Sequence, residues 1–294
     1  MKTSWSRGNK LTSMLIYVFL GILFLLFVLP FLLIISTSFI SSAESSRRGA
    51  FILIPQEPTL QTYKQILSSF AIYRAYGITL SRVIIGTTLN MVVSSTLAFG
   101  LSKHDLPGRN TIITLIFITM VLVPGLIPSF FVNKMVGVYD TFWVMILPSL
   151  VNTWNMIILK NFFVAVPKSL EESAEIDGAS ILRRFFQIVV PVSIPAIATI
   201  SMYYAVWHWN AWFDAAIYIN NNAQYPVQVL LRNIVLAGRA DDLGITMSEN
   251  AMSAPPAESL KCAVIIVSTL PILCVYPFIQ RYFVKGVMVG AVKG

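Results

Sequence analysis

The chain has 294 residues, 56% of them hydrophobic and only 12% charged, with 21 Lys and Arg against 13 Asp and Glu for a net charge of +8. Soluble domains carry about a quarter charged residues, so this composition excludes an ordinary water-soluble globule and points to a polytopic membrane protein. The basic residues sit between apolar runs, which makes the positive charge a matter of topology and not of nucleic acid.

A membrane helix needs about 20 mostly apolar residues, and six runs supply them. The first, Leu11–Ile35, is much longer than the core of a cleavable signal and is expected to stay as an anchor. Residues 36–77 then form an outer segment that is polar where it begins (Ser41, Ser42, Glu44, Arg47, Arg48) and suits a short helix plus loop. The second run, Ile78–Leu101, carries Thr87, Thr88, Asn90, Ser94 and Ser95, and interhelical hydrogen bonding is the expectation for Ser94 and Ser95. Ile112–Val132 is the third run. The fourth, Phe142–Ala165, has Asn152, Thr153 and Asn155 beside Trp154.

A 26-residue connector, 166–191, separates the fourth run from the fifth, longer than two membrane helices require. Its pattern is a helical hairpin. Pro167 stops the preceding helix, and Ser169 with Glu172 three residues on reads as a capping box. Gly178 stands where a left-handed residue ends the first short helix. A second helical stretch, Ile181–Val190, leads to Pro191 and Pro195. Leu170, Ala174, Ile181, Phe185 and Phe186 give the hairpin an apolar face. Two readings fit such a face: a hairpin lying on the membrane surface, or a docking element for a soluble partner.

The fifth run, Val192–Phe213, ends in three tryptophans within six positions, Trp207, Trp209 and Trp212. At helical spacing Tyr203, Trp207, Asn210 and Asp214 share one face. Aromatic rings alternating with amide and carboxylate groups suit a sugar, with its C–H faces and hydroxyl rim; an aromatic belt at the outer interface is the other reading. Residues 214–259 follow as a second long outer segment, and Leu260–Gln280 is the sixth run. Its two cysteines, Cys262 and Cys274, stand about 18 Å apart on a helix, too far for a disulfide. Neither they nor His104 and His208 outline a metal site.

Six spans put both ends on one side. Segments 1–10, 102–111, 166–191 and 281–294 hold 11 Lys and Arg in 60 residues, against 7 in 97 on the other side, so both termini are expected in the cytoplasm. Arg82, Lys160 and Lys261 fall near span ends, where long side chains can snorkel.

The stretch Glu172-Ser173-Ala174-Glu175-Ile176-Asp177-Gly178-Ala179, followed by Ile188-Val189-Val190-Pro191, resembles the signature loop of permeases of ABC importers: E-A-A, three residues, G, nine residues, I-x-L-P. Ser173 replaces an alanine and Val190 a leucine. Asp177-Gly178-Ala179 with Arg183-Arg184 resembles the sugar-importing branch, and the tail Gln280–Gly294 is similar to that of maltose-type inner permeases. The tract Tyr225–Ile234 also resembles permeases of polysaccharides and uronate oligosaccharides such as alginate fragments.

This resemblance implies an all-α, type I importer permease fold: a cytoplasmic N-terminal tail (1–10), a six-helix domain (11–280) and a cytoplasmic C-terminal tail (281–294) in a bacterial inner membrane. It implies no catalytic residue and no cofactor in this chain. Partners would be a second permease subunit, two ATP-binding subunits that hold ATP and magnesium, and an extracytoplasmic solute-binding protein. Glu172, Ser173, Ala174, Asp177, Gly178, Ala179, Arg183 and Pro191 would couple to the ATPase, and Lys285, Gly286, Lys293 and Gly294 would contact it from the tail. Asn152, Asn155, Tyr203, Trp207, Asn210 and Asp214 are candidates for the substrate path. Asn221, Gln224 and Tyr225 are candidates for docking of the binding protein, the other reading of that segment being a lid over the path. A non-sugar solute (polyamine, phosphonate or other small anion) is the alternative cargo, and a membrane-embedded enzyme the alternative class. The enzyme would need paired carboxylates or a histidine facing the core.

Overall fold

The computed structural model describes residues 10–49, 52–238 and 256–291, and among these every regular element is a helix, with one isolated bridge between Ile40 and Pro58. Helices α1 (Lys10–Ser38) and α4 (Phe70–Ser102) are long and apolar enough to cross a membrane, and so is the beginning of α14 (Ala257–Ala291). Between α1 and α4 lie α2 (Ser42–Arg48) and α3 (Gln61–Ser68).

Three further spans exist only as bent pairs, which would bring the total to six if each pair is one span. Helices α5 (Arg109–Val121) and α6 (Leu126–Met135) meet at 118°. Two short 3-10 turns, Phe142–Met145 and Leu147–Ser149, meet α7 (Thr153–Val164) at 51°. The hairpin helices α8 (Lys168–Ile176) and α9 (Ile181–Arg184) lead through a π-helical turn, Phe185–Val189, and α10 (Val190–Val192) into α11 (Ile194–Asn210), with a bend of 84°. The sequence predicts unbroken helices at 112–132 and 142–165, which the structure corrects, whereas the bend at residue 193 falls at the entry to the fifth run, where Pro191 and Pro195 stand. Each break falls at or beside proline, which lacks a donor and disfavours helical backbone before it: Pro124-Gly125, Pro148, and Pro191 with Pro195. Past Pro148, Asn152 caps α7 by accepting from the Asn155 amide at 3.0 Å.

Two compact units divide the described chain, with boundaries after Phe70, Arg232 and Leu270. In the unit that holds α1 to α3 and the beginning of α14, the end of α1 is bolted by hydroxyls. Ser38 Oγ bonds the Tyr63 hydroxyl at 2.7 Å, and Ser259 Oγ donates to the Ser38 carbonyl at 3.1 Å while pairing with Thr62. Glu44, buried on α2, accepts the amides of Gln56 (2.8 Å) and Glu57 (3.0 Å) and a bond from Arg48 (2.6 Å). Those backbone donors, more than Arg48, hold its carboxyl below the usual glutamate range. From Met14 to Ile35, α1 exposes large apolar side chains, as a helix surrounded by lipid or by another apolar chain would.

In the other unit α4 packs on α11 through two matching rows. Arg82, Gly86, Asn90, Ser94 and Ala98, four residues apart, are all buried on α4; Ala196, Ile200, Tyr204 and His208 repeat the spacing on α11. Rows at this spacing are the ridges by which helices interlock. At one end, Phe99, Phe163 and Phe185 form an apolar cluster with Met156, Leu159 and Val189. Toward the other, Val144 and Met145 pack with α12 (Phe213–Tyr218) and with Val229 of α13 (Val227–Ala237).

Candidate functional site

The hairpin at 167–191 is held by its own backbone. Helix α8 ends at Gly178, whose φ of +80° places it in the left-handed region that glycine adopts without penalty. The Ala179 amide reaches back to the Ala174 carbonyl (2.8 Å) and the Gly178 amide to that of Glu175 (3.0 Å). This is the Schellman pattern of bonds. The start differs from the sequence prediction: α8 begins at Lys168 with Pro167 in the capping position, so Ser169 lies inside the helix and caps nothing. The serine that does cap is Ser180, which accepts from the Arg183 amide ahead of α9 (3.4 Å).

One ion pair ties the hairpin to its surroundings, Glu171 to Lys103 just past the end of α4, and another joins its two arms, Glu175 to Arg184 (2.6 Å). Of the residues expected to couple, Glu172, Ser173, Asp177, Gly178, Arg183 and Pro191 are exposed, while Ala174 and Ala179 are half-buried. The apolar face also needs correction. Phe185 turns inward, its ring 4.7 Å from that of Phe99, and the side chains left uncovered are Leu170, Ile176, Ile181, Leu182 and Phe186. Ile176 is 87% exposed at the tip.

A cavity of ≈ 330 Å³ opens where the broken fourth span faces α11, lined by Asn152, Trp154, Asn155, Tyr203, Tyr204 and Trp207 together with Ser149 and Val151. Four of the six candidate path residues, Asn152, Asn155, Tyr203 and Trp207, therefore line one cavity. The other two do not. Helix α11 ends at Asn210 and the backbone extends at Ala211, so the helical face predicted to carry Tyr203, Trp207, Asn210 and Asp214 stops short of Asp214. Asn210 bonds its own helix at the Val206 carbonyl (2.9 Å).

Asp214 instead pairs with Arg82, which is fully buried and does not snorkel. One guanidinium nitrogen bonds Asp214 Oδ1 (3.0 Å) and the Ala211 carbonyl (3.1 Å), and the other bonds Oδ2. Arg82 Nε donates to His208 Nδ1 (3.4 Å), which leaves the His208 proton on Nε2, facing Asn90 Oδ1 at 2.7 Å. The Asn90 amide then donates to the carbonyls of Ser149 (2.8 Å) and Leu150 (2.7 Å), at the break of the fourth span. Tyr204 continues the series, its hydroxyl bonded to Ser94 Oγ (2.8 Å) and accepting from the Asn152 amide (3.1 Å). Gly86 makes the close approach possible: a Cβ there would stand 2.6 Å from His208 Cε1 and 2.9 Å from Cδ2. The sequence signal for this network was the four-residue spacing of Arg82, Gly86, Asn90 and Ser94.

In the outer segment Asn221 caps a 3-10 turn, Asn222–Gln224, by accepting from the Ala223 amide (2.9 Å), and the Tyr225 hydroxyl reaches the Ile219 carbonyl (3.4 Å). Asn221 is exposed, and Gln224 and Tyr225 are half-buried. Residues 239–255 of this segment lie outside the described residues. So do Lys293 and Gly294; Lys285 and Gly286 fall on α14, with their side chains outside the described set.

Residues 107–289 match the family model of the "binding-protein-dependent transport system inner membrane component". The chain is 47% identical over 289 residues to the polygalacturonan/rhamnogalacturonan transport system permease protein YtcP of Bacillus subtilis (strain 168), covering 97% of this chain and 99% of that one. It is 41% identical over 290 residues to protein LplC of the same organism, covering 98% and 97%. Its fold superposes with a TM-score of 0.85 and 27% identity on a chain of a bacterial ABC transporter involved in import of the acidic polysaccharide alginate, over 95% of this chain and 99% of that chain.

Proposed function

The chain belongs to the family of binding-protein-dependent transport system inner membrane components, and on that premise we propose that it carries acidic oligosaccharides through the cavity beside Trp207 under control of the hairpin at Gly178. It is the permease of a carbohydrate or polysaccharide ABC importer. It works with a second permease, ATP-binding subunits and a solute-binding protein. Two ATP-binding subunits paired with the permeases would hold ATP and magnesium; this chain would supply no catalytic group. In this reading the membrane is crossed six times, each bent pair counting once, with residues 1–10 and 281–294 in the cytoplasm and residues 11–280 between them.

The exposed, glycine-terminated hairpin supports coupling most directly. Its backbone is fixed by the bonds from Ala179 and Gly178, while five large apolar side chains along it stay exposed. A rigid apolar knob of this kind suits a cleft on an ATPase that pushes as it closes. Glu172, Ser173, Asp177 and Arg183 would line the contact, with Lys285, Gly286, Lys293 and Gly294 adding to it from the tail. The exposed Asn221, with Gln224 and Tyr225, would meet the solute-binding protein on the opposite side. For the cargo, rings and amides around one cavity suit a pyranose, and the relatives named for polygalacturonan, rhamnogalacturonan and alginate favour a uronate-bearing chain.

Gly178→Asp tests the coupling. It sets a bulky anion at a left-handed backbone position in the middle of the contact surface. The expected outcome is normal insertion with ATP hydrolysis uncoupled from uptake in proteoliposomes. Uptake at the full rate by the variant complex would remove the hairpin from this role.

A further inference from the structure

The polar row beneath the cavity is more than a structural core. We propose that Arg82 is a positioning residue for translocation: acting through Trp207, His208 and Asn90, it sets the shape of the cavity wall, and so the affinity for cargo, without touching the cargo itself. This rests on the cavity being the substrate path.

Three observations carry the proposal. First, the Arg82 guanidinium lies 5.7 Å from the centroid of the Trp207 ring, and the His208 ring lies 4.8 Å from Trp207 at 70°, so a tryptophan of the cavity lining touches two members of the network. Second, the network reaches the opposite wall. Asn90 holds the carbonyls of Ser149 and Leu150, and Tyr204 holds the Asn152 amide, so both broken spans that line the cavity hang on the same row of α4. Third, the donors and acceptors of Arg82, His208 and Asn90 are taken up by one another, by Asp214 and by backbone carbonyls. None of these three residues lines the cavity. They fix the faces that the cargo meets, which are rings and amides, with no cation among the described residues that line the cavity.

The fork of arginine matters here more than its charge. A lysine at 82 would keep a positive partner for Asp214 but could not also donate to His208 Nδ1 in a fixed plane or cover Trp207. The wall would then relax around a still-folded chain.

The test uses the full importer in proteoliposomes with a defined oligogalacturonide as cargo. Arg82→Lys is expected to raise the half-saturating concentration of cargo-loaded binding protein for uptake by about tenfold, the worth of one lost charged hydrogen bond, and to leave the maximal rate within about twofold. Arg82→Gln with Asp214→Asn, which removes the buried charges together, should shift the same constant in the same direction. A merely structural role would lower complex yield and maximal rate together and leave half-saturation unchanged, and that result would overturn the proposal.

A second readout needs no sugar. In a background of Cys262→Ser and Cys274→Ser, a Val151→Cys reporter at the cavity is labelled with a hydrophilic maleimide. Arg82→Lys should change its labelling rate at least about fivefold, the scale of a local shift in conformational population. An unchanged rate sinks the positioning role whatever the cargo. If the unsubstituted complex takes up no oligogalacturonide while the reporter responds, the cargo assignment falls and the role of Arg82 stands.

Discussion

The hairpin at 167–191 and the buried row beneath the cavity hold their shapes by opposite means. The hairpin is fixed by bonds between neighbours, Ala179 to Ala174 and Gly178 to Glu175, and it leaves apolar side chains outside. The row is fixed by bonds between residues 59 to 132 positions apart, and it buries a charge completely. A locally determined element can be pushed as a unit and keep its form. A core assembled from distant groups changes whenever one of its helices shifts, because every donor there has an acceptor on another element. The first property suits a lever, and the second suits a wall that must alternate between two arrangements.

The largest expected effect tests the charge at the centre of this contrast. Asp214→Ala leaves Arg82 buried without a counter-charge and should cost about 3–5 kcal/mol; a lowered melting midpoint of the purified complex and a reduced membrane yield would report it. A loss below about 1 kcal/mol would mean that Arg82 escapes to water, and the two regions would then differ less than their geometry indicates. Gly86→Ala comes next. The new methyl meets the imidazole of His208, so the ring must move off Asn90. About 1–3 kcal/mol is expected, the usual cost of overpacking, measured by the same melting curves with the Ser94–Tyr204 bond left in place. The smallest effect belongs to the hairpin. Lys103→Gln removes the pair with Glu171, whose side chains keep 28% and 14% of their exposure, and should cost no more than about 1 kcal/mol. A larger loss would make that ion pair, and not the local backbone, the support of the hairpin.

The same contrast decides what could be read from sequence. The end of α8 was legible because Asp177-Gly178 after a short amphipathic helix specifies its own backbone. The breaks in the third and fourth spans were in principle legible from Pro124 and Pro148, but hydropathy runs straight through them. Ser169 misled, since a serine followed by an acid three residues on is also common within a first helical turn. The buried row escaped almost entirely. Arg82 near a span end looks like a snorkelling cation, and nothing local joins it to Asp214 or His208. What could have exposed it was the interruption of an apolar helix every four residues by Arg82, Gly86, Asn90 and Ser94, a polar face with no water to meet. Asn152, Asn155, Tyr203 and Trp207 were legible as types, since amides and rings are unusual inside lipid, but their assembly around one cavity depends on the bend beside Pro148.

Gly86 and His208 occupy neighbouring space so tightly that they behave as one inherited character. A side chain at 86 pushes the ring at 208 off Asn90, and losing the ring strands Arg82 Nε and Asn90 Oδ1 together. Drift at any one of these positions is closed off unless two or three change in step, so descendants should either keep the whole set or replace it as a block.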